Sequence, residues 1–173
     1  ITEFFAGHHV SALEILKEAE ATLSERTVGM SAELNHIRNF MMFTLRRLGA
    51  YDELRDRMSE YVRDALRRGD RYAAASFVWS SNNVWLAADD VPRAHADLAS
   101  VTWSPPEEGV HLQHWFLVRA QTDLAMYEDD MTTIDALIPK LHAFLGPAFA
   151  HVQAVTTETR YQLARIAIRR GDA

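Results

Sequence analysis

Histidine is the side chain best suited to bind a metal or move a proton near neutral pH. The chain carries eight of them. Only His8-His9 and the pair His111 and His114 lie close together in sequence. Residues 111 and 114 would share one helix face, and His114 with a distant carboxylate is a partial divalent-metal set. The plainer role is that of two partly exposed polar residues near a helix start. Three acidic clusters, Asp89-Asp90, Glu107-Glu108 and Glu128-Asp129-Asp130, fall where helices are predicted to begin. Carboxylates are stabilised there by the backbone dipoles, so capping is expected of them rather than acid–base work. The sequence contains no His-Glu-x-x-His zinc helix, no Gly-x-x-x-x-Gly-Lys-Ser/Thr phosphate loop and no Gly-x-Ser-x-Gly elbow. Cysteine is absent, which excludes disulfides and thiolate metal sites. The expectation is a chain without catalytic residues, metal or cofactor.

Composition narrows the partners. The formal charge is −6, so a nucleic-acid backbone is weakly attracted and no nucleic-acid partner is expected. A hydrophobic share of 48% with 24% charged residues is globular composition. No apolar run reaches the roughly eighteen residues of a membrane helix. The first residues, Ile1-Thr2-Glu3-Phe4-Phe5, lack the plan of a signal peptide, and a cytoplasmic location is expected. Sixteen of the 18 basic residues are arginine, leaving only Lys17 and Lys140. Arginine pairs bidentately where lysine cannot, but a GC-rich bacterial genome produces the same bias.

The elements that position these residues recur. Five times a helix is predicted to run out at a small or acidic residue, with a new amphipathic helix starting soon after. The markers are Gly7, Gly49, Asp89, Asp129 and Gly171, separated by 42, 40, 40 and 42 residues. That period suits a pair of helices with two turns. Calling A the helix that ends at a marker and B the one that follows, the expected boundaries are B1 10–26, A2 31–48, B2 51–68, A3 71–88, B3 91–101, A4 105–127, B4 131–145 and A5 148–170. Ala12, Ile15, Leu16, Ala19 and Leu23 form the predicted apolar stripe of B1, with Glu14, Lys17, Glu18 and Glu25 opposite. Leu54, Met58, Tyr61, Val62 and Leu66 do so in B2. Ser104-Pro105-Pro106-Glu107 reads as the start of A4, with a serine cap and proline at the first helical position. Pro139 should kink B4. No segment alternates with a strand period, so the fold is expected to be all-α, a single helical-repeat domain over 1–173 within a larger protein. Asp172-Ala173 should open a fifth turn.

The segments Leu48-Gly49-Ala50-Tyr51-Asp52-Glu53-Leu54 and Phe5-Ala6-Gly7-His8-His9-Val10-Ser11-Ala12-Leu13 resemble the tetratricopeptide plan of a small residue at one helix junction followed by Ala or Leu. The resemblance implies a right-handed superhelix of antiparallel helix pairs, an α-solenoid. The period of about 40 departs from the standard 34. It is more similar to the degenerate repeats in C-terminal halves of large bacterial signalling ATPases and multi-domain serine/threonine kinases. Such a likeness implies a protein- or peptide-binding scaffold or sensor segment.

In such stacks the A helices line a concave groove. Ten residues before the markers stand Asn39, Trp79, Arg119 and Tyr161; six before stand Phe43, Asn83, Asp123 and Arg165. The two positions share a face. Two readings stand side by side. In one, Asn39, Trp79, Asn83, Arg119 and Asp123 form a protein-binding groove, with Trp79 and Arg119 as exposed anchors and Asp123 steadying Arg119. In the other, Trp79 and Tyr161 pack between repeats, and the segment is a structural spacer or dimerisation element, possible as a homodimer.

Overall fold

A computed structural model of the chain describes residues 1–26 and 29–171, together with the backbone course of the helices they form. The start of a fifth turn expected at Asp172-Ala173 lies outside the described residues. All described secondary structure is helical: α1 (Thr2–Phe5), α2 (His9–Arg26), α3 (Ser31–Leu48), α4 (Tyr51–Arg67), α5 (Arg71–Ser81), α6 (Asn83–Ala87), α7 (Val91–Ser100), α8 (Leu112–Glu128), α9 (Met131–Ala143) and α10 (Gln153–Arg170), with one 3-10 turn at Pro147–Phe149. The fold is all-α. No helix is long and apolar enough to cross a membrane among the described residues.

Helix ends follow local chemistry. Gly49 and Gly171 close α3 and α10 in the left-handed conformation, returning their N–H groups to the last-turn carbonyls. Asp89 and Asp129 are the described non-glycine residues with positive φ, at 57° and 61°. Each stands directly before an aspartate that caps the next helix. Asp90 accepts from the Arg93 N–H at 3.0 Å and Asp130 from the Thr133 N–H at 3.1 Å. Those two acidic clusters therefore cap, as expected.

Two cores hold the molecule. Leu16, Met41, Met42, Leu45, Leu54, Met58, Tyr61 and Phe77 fill the first, between α2, α3, α4 and α5. Trp79, Trp115, Phe116, Ile134, Leu137, Leu141, Phe144 and Ile166 fill the second. In sequence order α3, α5 with α6, α8 and α10 pack side by side; these are the expected A helices.

Several expectations need correction. The A4 helix begins at Leu112, not 105. Pro106 disfavours helical geometry at Pro105, and Pro105 does the same at Ser104. Gly109, at φ +81°, then turns the chain before the helix can start. Glu107-Glu108 consequently caps nothing, and the 101–111 segment inserts Trp103 against Tyr72 and Trp79, with ring centroids 5.6 and 6.1 Å apart. The A5 helix begins at Gln153 because Gly146-Pro147 opens a separate 3-10 turn. Of the expected stripes, Ala12, Leu16, Leu54, Met58 and Tyr61 are buried, whereas Ile15 and Leu66 are exposed and Ala65 is buried in place of Leu66.

The A3 segment is broken at Asn82 into α5 and α6. At that break Arg119 reaches across from α8, donating from Nη2 to the Ser80 carbonyl and, at 3.5 Å, to that of Trp79. Those carbonyls would accept from residues 83 and 84 in an unbroken ladder. A side chain inserted into the ladder is a recognised cause of a helix break. Asn82 stabilises the break by donating from its side chain to the Ala94 carbonyl at 3.0 Å.

Candidate functional site

The four A-type helices bring their inward faces together around Arg119. Its guanidinium carbon lies 5.9 Å from the Phe43 ring centroid and 5.5 Å from that of Trp115. Phe43 of α3 and Phe116 of α8 also meet, at 5.9 Å. The first and last of these helices are then clasped together by charge. Glu158 of α10, itself 5% exposed, accepts from Arg46 at 3.1 Å and from Arg47, both on α3. This aromatic and charged waist divides the inner face into two open ends.

At the end formed by the helix C-termini lies a groove of about 670 Å³. Arg46, Arg47, Arg165 and Arg169 line it against only two carboxylates, Asp123 and Glu158, with Asn83 and Tyr161 between them. Asp123 accepts from Gln162 at 2.9 Å and Arg165 at 2.6 Å. Arg165 also sits over the Tyr161 ring, 5.6 Å from its centroid. Charge-assisted pairs of this kind hold the walls in place while leaving guanidinium edges at the surface. At the opposite end lies a cavity of about 750 Å³ whose lining includes the aromatic residues Phe40, Phe43, Tyr72 and Trp115.

The residues singled out from sequence divide between surface and interior. Asn83 and Asp123 line the groove. Asn39 lines the aromatic cavity instead, donating to the Asn35 carbonyl one turn back at 3.0 Å. Trp79 and Arg119 are not exposed anchors: they are 3% and 2% exposed. Trp79 is covered by Trp103, 6.1 Å away between ring centroids, and Arg119 is enclosed by the rings of Phe43 and Trp115 and by the Trp79 and Ser80 carbonyls. Asp123 is hydrogen-bonded to Arg165 and Gln162, and it acts on Arg119 through its charge alone. Asn39 Oδ1, Trp79 Nε1, Asn83 Oδ1 and two nitrogens of Arg119 are buried without a hydrogen-bond partner. Burial, and after it the nearby charge of Arg46, push the Arg119 guanidinium down to about 9.

Sequence reasoning missed the clasp. Arg46, Arg47 and Glu158 are not among the residues singled out from sequence. The two arginines did carry a signal: they stand three and two residues before a marker, as do Met126 and Tyr127, and all four line the groove.

The histidine pairs have local partners. His111 Nε2 donates to the Glu108 carbonyl at 2.9 Å, which leaves its Nδ1 to accept from the start of α8. His114 Nδ1 accepts from the His111 N–H at 3.1 Å in return. Burial, then the His111 charge, lower the His114 pKa. His8 Nδ1 contacts Glu3 at 2.9 Å. Among the described residues no three histidines or carboxylates converge on one point.

No protein-family model matches the chain, and neither a curated protein nor a solved structure matches it.

Proposed function

We propose that this chain is a non-catalytic, tetratricopeptide-like scaffold that holds a protein or peptide segment in the groove at the C-terminal ends of its A helices. The observation that carries the reading is the groove itself: all four A-type helices contribute to it, and its arginines outnumber its carboxylates. A surface assembled from successive repeats is the usual binding face of a solenoid.

The superhelical repeat of about 40 residues is supported by two features. The five markers, Gly7, Gly49, Asp89, Asp129 and Gly171, all have positive φ. Contacts between neighbouring A helices also keep that spacing: Tyr127 donates to Asp89 at 2.6 Å and Arg169 to Asp129 at 2.9 Å. Placement within a larger bacterial signalling protein in the cytoplasm rests on the resemblance of the repeats.

Panning a random peptide display library tests the binding role. Wild-type protein should enrich a shared motif, and Tyr161→Ala with Arg169→Ala should lose it while melting normally, since both side chains are at least half exposed. Equal enrichment on both proteins places binding elsewhere. Failure to enrich, with dimerisation in solution, favours the spacer or dimerisation role.

A further inference from the structure

We infer that Glu158 occupies, from within the chain, an anion site on Arg46 and Arg47 that a carboxylate of the bound segment takes over, so that ligand entry releases α10 from α3. This rests on the groove being the binding surface, and it names the ligand chemistry: an acidic segment.

The location of the clasp is the first support. Glu158, Arg46 and Arg47 lie in the wall of the groove, and the same three line a smaller cavity of about 240 Å³ beside α1. A group arriving by either route meets the pair directly. Arg47 is accessible, with 41% of its side chain exposed.

The charge balance is the second. Asp123 is engaged by Arg165 and Gln162, and Glu158 alone serves Arg46 and Arg47. Arg119 lies within electrostatic reach of Arg46, Arg47, Asp123 and Glu158, with two nitrogens unpartnered. Two internal carboxylates, Asp123 and Glu158, therefore face the four guanidinium groups of Arg46, Arg47, Arg119 and Arg165. Additional negative charge is favoured there, because buried cations are stable only when paired. Each arginine can hold a carboxylate by two parallel hydrogen bonds, so exchanging Glu158 for an external carboxylate conserves the bonding.

The third is topology. Residues 46 and 47 sit on the first complete A helix and residue 158 on the last, so this ion pair joins the two ends of the stack. Few other contacts do so; the aromatic contact of Phe43 with Phe116 stops at α8. Releasing Glu158 frees α10 to move with its neighbour α8. A ligand that competes with an internal contact shifts the equilibrium by its differential affinity for the two states.

The test uses hexaglutamate and hexaglutamine at matched ionic strength, because exposed charges are screened by salt. Wild type should bind hexaglutamate and ignore hexaglutamine. Glu158→Gln removes the internal competitor at constant size and should bind hexaglutamate roughly tenfold tighter, within the range usual for coupled sites. A merely structural Glu158 would not tighten binding when removed. The absence of native cysteine allows spin labels to be placed through Glu33→Cys on α3 and Arg160→Cys on α10, both exposed. The distance between them should lengthen in Glu158→Gln, and in wild type on adding hexaglutamate. Unchanged affinity together with an unchanged distance overturns the inference. If Glu158→Gln fails to fold, Arg47→Gln carries the test: hexaglutamate affinity should fall about tenfold, and an unchanged value overturns the inference. Library-selected segments that bind wild type and Glu158→Gln equally well leave the groove as the binding surface and overturn this inference alone. If no peptide binds either protein, both fall.

Discussion

Arg38 and Arg119 are both buried arginines on A-type helices, 7% and 2% exposed. Their surroundings are opposite. Arg38 of α3 donates from Nε to Glu20 at 2.9 Å and from Nη1 to Asp64 at 2.7 Å, and lies 4.5 Å from the Tyr61 ring centroid. Burial alone would disfavour its charge, but the hydrogen bonds to Asp64 and Glu20 outweigh it and raise its pKa. Arg57 and the Tyr61 hydroxyl complete this network on Glu20, at 3.0 and 2.9 Å. Arg119 has only backbone carbonyls as partners, and burial depresses it. Around α2, α3 and α4 the chain thus supplies its own counter-charges and locks three helices. Arg119 has no carboxylate hydrogen-bonded to it, only the more distant charges of Asp123 and Glu158, and two of its nitrogens are left without a partner. Buried polar atoms without partners are uncommon in folded proteins and mark places that need a physical reason.

The largest effect expected from breaking this contrast is Arg38→Met. It leaves Glu20 and Asp64 without their shared cation, and removing one partner of a buried pair costs about 3–5 kcal/mol. Urea unfolding should show it as a lower midpoint at unchanged slope. A loss under about 1 kcal/mol, the range of surface pairs, would mean the network behaves as solvated charge.

Trp79→Ala probes the other region. With Trp79 packed at the waist, the change should cost about 3 kcal/mol of stability, the low end for a buried tryptophan, because an unsatisfied indole N–H goes with it. Calorimetric melting of Trp79→Phe should stay close to wild type. A loss in Trp79→Phe equal to that in Trp79→Ala would show that the indole N–H has a partner after all.

The two regions were not equally legible in the sequence. Helix pairs and the all-α class follow from turn residues and apolar spacing, both local signals. Asp90 and Asp130 were readable as caps for the same reason. The Arg38 network joins residues 20, 38, 57, 61 and 64 on three helices, and helical spacing within one helix does not reveal such triples. Trp79 and Arg119 were expected as exposed anchors, and both are buried. Whether a residue on the inner face is exposed or buried depends on contacts between distant segments, such as Trp79 with Trp103 and Arg119 with Phe43, and spacing within one helix does not reveal these. Pro105-Pro106 misled differently, since proline at a first helical position and proline in an extended pair look alike until the next residue is weighed.

Acid should separate the regions further. Burial alone would raise the Asp64 carboxyl, but the hydrogen bond from Arg38, with the charges of Arg38 and Arg68, brings it below the ordinary carboxylate range. A folded-state pKa below the unfolded value gives stability that is present above about pH 4 and lost as pH falls through the folded value. Asp64→Asn should therefore cost about 2 kcal/mol at neutral pH, the scale of a hydrogen bond to a charged group. The difference from wild type should shrink as pH falls below about 4. A gap that stays constant down to pH 2 would show that Asp64 acts by shape and not by charge.

Arg119→Met should have the smallest effect on stability, and that smallness is the point. Methionine keeps the unbranched stem and its contacts with Phe43 and Trp115 while removing the charge. What is lost is the hydrogen bonding to the carbonyls of Ser80 and Trp79, about 1–2 kcal/mol in ordinary circumstances. What is gained is relief from a buried guanidinium with two unpartnered nitrogens, and replacing buried charge by apolar volume is often neutral or stabilising. Freed of Arg119, the Trp79 and Ser80 carbonyls can also return to the ladder and join α5 to α6. The opposing contributions should leave unfolding within about 1 kcal/mol of wild type. This is several-fold less than Arg38→Met, although Arg119 is the more buried of the two. Hydrogen exchange adds a local measurement: amides 83 and 84 should become better protected in the variant if the ladder closes. A destabilisation matching that of Arg38→Met would mean that Arg119 is as well paired as Arg38, and the contrast between the two regions would disappear.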